Sequence, residues 1–453
     1  MAYIPHTDAD RAAMLDAIGV ESLDKLFDSV PEQYRFPALD LPGRLSEMDT
    51  LWEMQALASA NASASDCAIF LGAGVYNHYI PSVVNHILLR GELYTAYTPY
   101  QPEVSQGTLQ AIFEWQSMVA QLTGMQAANA SHYDGATSLA EAVTVAVAHA
   151  RNKRRKVILS PNVHPQYRAV ARTYHQGTAT RFVGDKSGRA TLDDLVDMLD
   201  ENTAMLVVQY PNFFGQIEDF SGLADKVHEA GALLCVVTDL MSLALLKPPG
   251  EQGADLVVGE AQSVGIPMSF GGPYAGFFAT KNDLVRKIAG RIVGETLDAD
   301  GRRAYVMTLR PREQDIRREK ASSNICTNQG LMALASCVYL SAVGKHGLRR
   351  VAELCFHKAH YAAEQISQLD GYMVNTELPF FQEFVIACPK PVSEINAALF
   401  DDFSIIGGYD LGKEYPDRGN QMLIAVTEAN TKSEIDDLVR GLAQAAQSAQ
   451  SAQ

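Results

Sequence analysis

The chain lacks several features that mark whole classes of protein. No segment approaches the roughly 20 consecutive apolar residues of a membrane-spanning helix, and the first residues have neither the basic nor the apolar region of a secretory signal. Acidic residues outnumber basic ones by 53 to 37, which gives a net charge of −16 and disfavours nucleic acid as a partner. These absences predict a cytoplasmic protein that binds neither membrane nor nucleic acid.

Cysteine is also scarce, and its spacing carries no metal or disulfide pattern. The six cysteines show no Cys-x-x-Cys pair and mostly lie in apolar stretches, so we interpret them as reduced core residues. The chain has 453 residues, of which 47% are hydrophobic and 20% charged. That is enough for a large core or for two domains.

Short apolar runs alternate with helical patterns through the middle of the chain. Because the runs are continuously apolar, they predict a largely parallel sheet covered by helices on both faces, an α/β fold. Such sheets bind ligands at the carboxyl ends of their strands. The apolar runs are at residues 156–160, 204–209, 233–237 and 255–258. After residue 325 the pattern changes to long helices at 329–343 and 348–367, which predict a smaller α+β domain.

These patterns divide the chain into four predicted segments. Near the amino terminus Thr7 is a plausible N-cap for a helix over residues 8–18, with Gly19 just past its end. Helical arms of this kind often wrap a neighbouring subunit. The predicted segments are an N-terminal helical arm over 1–66, a large α/β domain over 67–325, a small α+β domain over 326–443 and a low-complexity tail over 444–453.

One further absence concerns a single residue type in a single place, since no lysine lies between Lys247 and Lys281. The predicted strand over 254–259 resembles one found in pyridoxal-phosphate (PLP) enzymes of the aminotransferase-like fold. In those enzymes the lysine that holds the cofactor as a Schiff base follows about eight residues after the Asp that begins the strand. Here that place falls near Ser263, whose hydroxyl cannot form an imine with an aldehyde. An autonomous PLP enzyme would need another lysine, such as Lys281.

Other positions resemble the remains of such a cofactor site, and each has a simpler reading. The stretch 131–138 leads into a predicted helix over 140–150, and free N–H groups at a helix start attract a phosphate. The Asp134 carboxylate would repel a phosphate, however, and would serve equally well as an N-cap. Asp239 ends a buried strand, where this fold places the partner of the PLP ring nitrogen, or it is a strand-end residue bonded to a loop. The relic cofactor-site positions are Asp134, Gly135, Thr137, Asp239, Gln262 and Ser263.

Two further runs could form part of a site. Residues 94–107 combine three tyrosines with two prolines, which stiffen the loop and could fix the tyrosines as the wall of a site. The alternative is a tyrosine-rich turn packed on the core or on a subunit interface. Residues 310–320 hold five basic and three acidic side chains, a density typical of a solvated, salt-bridged helix. The alternative is that one arginine binds a carboxylate or phosphate at a subunit boundary.

Taken with the runs at 72–81, 160–165 and 262–273, these stretches resemble the amino-terminal-type subunit of the glycine cleavage system P-protein family, from Tyr3 to the final helix. The runs at 94–107 and 310–328 are the most specific to it. The resemblance implies a heterotetramer of two chains of this type and two of subunit 2. In it, subunit 2 carries the lysine and holds PLP covalently, and this chain has no catalytic residue of its own.

The resemblance also implies the reaction and the residues that face it. Glycine would be decarboxylated and its aminomethyl group passed to the lipoyl arm of the H-protein. The alternative is a catalytically silent scaffold that only stabilises the PLP-binding partner. The residues expected to face the pocket across the interface are Tyr97, Thr98 and Tyr100, with Thr95, His164 and Arg312 as weaker candidates.

Overall fold

The computed structural model describes residues 5–186, 190–321, 323–325 and 328–447, and they form two compact units, Met1–Ala62 and Ser63–Gln453. The helices are α1 (Asp8–Ile18), α2 (Glu47–Ser59), α3 (Ser82–Leu88), α4 (Gly91–Tyr94), α5 (Gln106–Thr123), α6 (Gly135–His149), α7 (Pro165–His175), α8 (Leu192–Asp197), α9 (Leu223–Glu229), α10 (Gln314–Arg317), α11 (Gly330–Ile366), α12 (Val392–Phe403) and α13 (Lys432–Gln447).

The strands are short and mostly buried. They are β1 (Ala68–Ile69), β2 (Ala127–Ala128), β3 (Lys156–Leu159), β4 (Arg181–Val183), β5 (Thr203–Tyr210), β6 (Leu233–Asp239), β7 (Leu256–Glu260), β8 (Gly276–Thr280), β9 (Ile292–Leu297), β10 (Arg303–Thr308), β11 (Met373–Val374), β12 (Glu383–Ala387), β13 (Ile405–Ile406), β14 (Tyr409–Asp410) and β15 (Gln421–Ala425).

The first unit is helical, and its first helix follows the sequence prediction. Asp10 N donates to Thr7 Oγ1 at 3.2 Å and Thr7 N donates to Asp10 Oδ2 at 2.8 Å, a reciprocal capping box. Gly19 closes α1 at φ 82°, a left-handed backbone conformation that suits glycine. The helix α2 was not predicted, although Ser46 caps it by accepting a hydrogen bond from Asp49 N at 3.1 Å.

The second unit is built on a seven-stranded sheet with the order β2-β8-β7-β6-β5-β3-β4. The five strands β4, β3, β5, β6 and β7 pair in parallel, whereas β8 runs antiparallel to β7 and β2 antiparallel to β8. The prediction of a mostly parallel sheet in an α/β fold is therefore confirmed, with an antiparallel edge that the sequence analysis did not include. The carboxyl ends of β5, β6 and β7 meet at one edge, and the relic positions lie there.

The carboxyl-terminal part adds a four-stranded antiparallel sheet with the order β11-β12-β15-β14. Its buried side chains pack with Phe70 and with residues of α11, α12 and α13 in one core cluster. The short β1 pairs in parallel with β13, so residues just after position 67 join the carboxyl-terminal part. The predicted division of 67–443 into two domains stays a prediction. Of the predicted low-complexity tail, residues 444–447 belong to α13 and residues 448–453 lie outside the described residues.

The long helix α11 explains why the sequence suggested two helices. Gly344 has φ 60° and ψ 179°, a non-helical conformation that divides the helical run between the two predicted segments. By length and composition alone α11 could cross a membrane. Its buried residues, among them Cys337, Tyr339 and Leu348, instead pack against the core beside the main sheet, as in a core helix.

Candidate functional site

The carboxyl ends of β6 and β7 bring Asp239 and Ser263 together. The Ser263 hydroxyl donates to Asp239 Oδ1, and the amide of Ser242 donates to Asp239 Oδ2 at 3.3 Å. Burial raises the pKa of the Asp239 carboxyl above its ordinary value. At this edge the aspartate is bonded to the loops that follow β6 and β7.

The first turn of α6 is closed by its own side chains. Thr137 N donates to Asp134 Oδ1 at 2.7 Å, and Asp134 N donates to Thr137 Oγ1 at 3.1 Å. This capping box satisfies two of the amide groups that would otherwise be free at a helix start. Of the two readings of this turn, the capped helix is the one observed.

A carboxylate that the sequence analysis did not weigh also lies at the start of α6. Glu260, the last residue of β7, accepts a hydrogen bond from Gly135 N at 3.0 Å through Oε2. Its Oε1 accepts from Ala261 N and Ala275 N, both at 3.0 Å. Burial raises the pKa of Glu260 to about 7, against the effect of these three donors. Because Gly135 is the first residue of α6, Glu260 lies where a helix amino terminus would bind a phosphate.

His164 and Tyr167 form the next wall of the same pocket. Their rings stack with centroids 4.9 Å apart and an interplanar angle of 27°. His164 Nε2 bonds to Ala73 O at 2.8 Å, and Gln166 N donates to His164 Nδ1 at 3.2 Å, which fixes the neutral tautomer with its proton on Nε2. Burial lowers the pKa of His164 to about 4, so the ring is neutral at neutral pH.

Gln262 and Glu383 hold the loop around Tyr76 over the pocket. Tyr76 N donates to Gln262 Oε1 and Gln262 Nε2 donates to Tyr76 O, both at 2.8 Å. The Tyr76 hydroxyl donates to Glu383 Oε2 at 2.7 Å, and Ala73 N donates to Glu383 Oε1 at 2.6 Å. Burial raises the pKa of Glu383 to about 7. The pocket is thus lined by groups that already bind one another.

These residues do not fit a bound PLP. The cavity between them has a volume of about 40 Å³, room for a few water molecules and too little for an aromatic cofactor with its phosphate. Among the described residues that line it there is no lysine. Lys281 donates to Asp255 Oδ1 at 2.6 Å, just before the amino end of β7 and at the opposite edge of the sheet. It cannot reach this pocket.

The loop over residues 94–107 forms a separate and more open region. Tyr97 is 80% exposed and, with Thr98, lines a cavity of about 190 Å³ between the loop, α5 and the start of α11. Arg291 also lines this cavity, and its guanidinium lies 5.8 Å from the centre of the Tyr100 ring. The Arg310 guanidinium lies 4.9 Å from the same ring, so two cations hold Tyr100.

The structure of the arginine-rich run at 310–320 differs from the prediction. The predicted solvated, salt-bridged helix is present only as short pieces, because the segment consists of a 3-10 turn at Arg310–Arg312, the short α10 and a second 3-10 turn at Arg318–Lys320. Pro311 and the positive φ of 52° at Arg318 interrupt the run. Arg312 turns inward and donates to Ile288 O and, at 2.6 Å, to Gly290 O. Residues 322, 326 and 327 of the family-specific run lie outside the described residues.

The candidate residues therefore fall into two groups. His164 lies with the relic positions rather than with the tyrosine loop, and Thr95 donates to Gly91 O at the end of α4. The pocket and the loop cavity share no lining residue. Sequence reasoning missed Glu260, Tyr167 and Arg291. Only the position of Glu260 at a strand end, three residues before Ser263, could have suggested its place.

Comparison with families of known proteins gives a match over almost the whole chain. The model described as "Glycine cleavage system P-protein" matches residues 1–442. The chain is 53% identical over 448 residues to the probable glycine dehydrogenase (decarboxylating) subunit 1 of Thermomicrobium roseum, covering 98% of this chain and 100% of that protein. It is 52% identical to the protein of the same name from Geobacillus thermodenitrificans, covering 97% of this chain and 98% of that one.

Solved structures agree with the sequence comparison. The crystal structure of a glycine decarboxylase (P-protein) of the glycine cleavage system, in inhibitor-bound form, superposes with a TM-score of 0.89 at 43% identity, covering 98% of this chain and 100% of that one. A sphingosine-1-phosphate lyase from Burkholderia pseudomallei has a TM-score of 0.62 at 16% identity, covering 93% and 97% of the two chains. At that identity the likeness shows the fold alone.

Proposed function

The chain belongs to the glycine cleavage system P-protein family, and on that premise we propose that it is the lysine-free subunit of a two-subunit glycine dehydrogenase (decarboxylating). Its partner, subunit 2, supplies the lysine and holds PLP. The observation that carries the proposal is the edge of β6 and β7, where the position expected for the lysine is Ser263 and its hydroxyl is already bonded to Asp239. Without an amine there, this chain cannot hold an aldehyde cofactor covalently.

The tyrosine loop is the region through which this subunit would complete the partner's site. Tyr97 is 80% and Tyr100 42% exposed, and their hydroxyls can bind or orient polar groups of a substrate. Two prolines at positions 99 and 102 limit the entropy lost when the loop is fixed against a partner. The cofactor carries the decarboxylation itself. The residues of this chain orient the reacting groups and exclude water.

The proposed reaction joins two substrates. Glycine loses its carboxylate as CO2, and the remaining aminomethyl group passes to one sulfur of the oxidised lipoyl arm of the H-protein, whose S–S bond opens and leaves the other sulfur as a thiol. Two chains of this type and two of subunit 2 form the proposed assembly, in the cytoplasm. Support for a partner chain comes from the words "subunit 1" in the names of the relatives.

Reconstitution tests the proposal directly. We expect lipoyl-dependent glycine decarboxylation from the mixed subunits and none from either chain alone. Activity of this chain alone, or a borohydride-stable PLP adduct on one of its lysines, would refute the proposed division of labour.

Two conservative substitutions separate a shared site from a silent scaffold. Tyr97→Phe or Tyr100→Phe should lower the rate of glycine–bicarbonate exchange about tenfold or more, because the hydrogen bond from the tyrosine hydroxyl to a charged group of the substrate is lost. Assembly, followed by sedimentation velocity, should be unchanged. Tyr174→Phe is the control, since Tyr174 is 44% exposed on α7 and does not line the loop cavity. Full activity in both loop variants would favour the scaffold.

A further inference from the structure

The start of α6 combines the features of a phosphate site with an internal occupant. In α/β folds a helix amino terminus at the carboxyl edge of a sheet binds anions, because its N–H groups are unpaired and its dipole is positive there. In this chain the amide of Gly135, at that position, donates to Glu260 Oε2 at 3.0 Å. The carboxylate therefore takes up a donor that a phosphate would need.

The other contacts of Glu260 hold the carboxylate in place from two more directions. Its Oε1 accepts from the amide of Ala261, which follows β7, and from the amide of Ala275, which precedes β8. Three backbone donors therefore take up three of the roughly four acceptor sites on the two carboxylate oxygens. Asp134 adds a second carboxylate at the same helix start, where it accepts from Thr137 N. A phosphate entering here would meet two acidic groups.

Side chains also fill the space at the start of α6. A Cβ atom built on Gly135 would lie 2.1 Å from the Tyr167 hydroxyl and 2.9 Å from Glu260 N, so these groups lie directly against the start of α6. The Tyr167 ring covers one face of His164, so no other aromatic ring can stack on that face. The remaining cavity of about 40 Å³ admits water only.

We propose that the carboxyl group of Glu260 is a built-in occupant of the phosphate cup of this chain's own relic site. With Tyr167 beside it, Glu260 closes the site to phosphate and to phosphorylated cofactors. The sheet edge then keeps its arrangement without any ligand. This inference concerns the chain itself and does not rest on the proposed function, since none of its tests involves glycine, subunit 2 or turnover.

Chemical rescue of a cavity variant tests the proposal. In the full-length chain, Glu260→Ala removes the carboxylate and leaves three buried N–H groups facing a small anion-sized space. We expect its melting temperature to fall by several degrees. Formate, acetate or inorganic phosphate should restore much of that loss, relative to chloride at the same ionic strength. The wild-type protein should show no such response beyond the general effect of the salt.

Glu383→Ala is the matched control, because Glu383 is a second buried glutamate, which lines the neighbouring cavity, accepts from Ala73 N and the Tyr76 hydroxyl and forms no hydrogen bond with the described residues of α6. Its melting temperature should fall too, without anion-specific recovery, which separates occupancy of the cup from general stabilisation by salts. Equal recovery in both variants would overturn the proposal. So would saturable stabilisation of the wild-type chain by phosphate or PLP.

A second variant covers the case in which Glu260→Ala does not fold. Glu260→Gln keeps the side-chain volume but loses the charge and one acceptor. Amide hydrogen exchange of the first turn of α6 should then be faster than in the wild type by tenfold or more, while exchange in α5 is unchanged. Unaltered protection of that turn would show that the carboxylate does not hold it.

Discussion

Two helices, α5 and α6, start beside the two candidate regions and differ in how their ends are satisfied. The first turn of α6 is closed by Asp134, Thr137 and Glu260, all supplied by the chain itself. The first turn of α5 follows the tyrosine loop, and Ser105 at its N-cap makes no side-chain hydrogen bond. The start of α6 is thus closed by side chains of this chain, whereas the start of α5 has no side-chain cap.

Replacing the glycine in the first turn of each helix by alanine should give the largest difference in stability between α5 and α6. Gly135→Ala should lower the free energy of unfolding by about 3 kcal/mol, because the new methyl would overlap the Tyr167 hydroxyl and crowd Glu260 N. Gly107→Ala, in the first turn of α5, meets nothing within 4 Å and should leave stability unchanged or raise it by up to about 1 kcal/mol. Urea denaturation of the two variants measures both values. Equal effects would contradict the picture of a filled cup.

Glu260 should also make the stability of the protein depend on pH. Its pKa is about 7 in the folded protein and 4.5 ordinarily, so the folded state binds the proton more tightly than the unfolded state. The resulting stabilisation is fully present below pH 4.5 and is lost as the pH rises through 7. For one such group the loss is about 2 kcal/mol between pH 5 and pH 8.

Glu260→Gln should remove this contribution, so its free energy of unfolding should fall less steeply with pH than that of the wild type. Urea midpoints measured at several pH values give the two slopes. Tyr97→Phe, in the loop, should keep the wild-type slope. Parallel curves for the wild type and Glu260→Gln would show that Glu260 has an ordinary pKa.

Local sequence signals were enough to predict the elements that are determined by residues close together in the chain. The capping box of α1, the strands of the parallel sheet and the break at Gly344 all follow from residue type and spacing within a few positions. The antiparallel β8 and the β9–β10 hairpin were not predicted. The sequence analysis assigned no element to the residues of these strands.

The candidate site was predictable only in part, because its decisive contacts join distant residues. An acidic residue at a strand end usually faces solvent, and nothing in the residues near Glu260 shows that it bonds to Gly135, 125 positions earlier. Tyr167 reads as an ordinary helix residue, since its stacking on His164 depends on the turn of α7. The absence of lysine near Ser263, by contrast, can be read directly from the sequence. The hydrogen bond from Ser263 to Asp239 agrees with it.

The smallest contrast compares the two N-cap residues. Asp134→Ala should cost about 1 kcal/mol of stability, because Thr137 N loses its acceptor at the start of α6. Ser105→Ala should change stability by less than about 0.5 kcal/mol, since the Ser105 side chain caps nothing. Thermal and urea unfolding of the full-length chain measure both. If Ser105→Ala were the more damaging variant, the start of α5 would be closed by this serine, and the tyrosine loop could no longer be regarded as the open region.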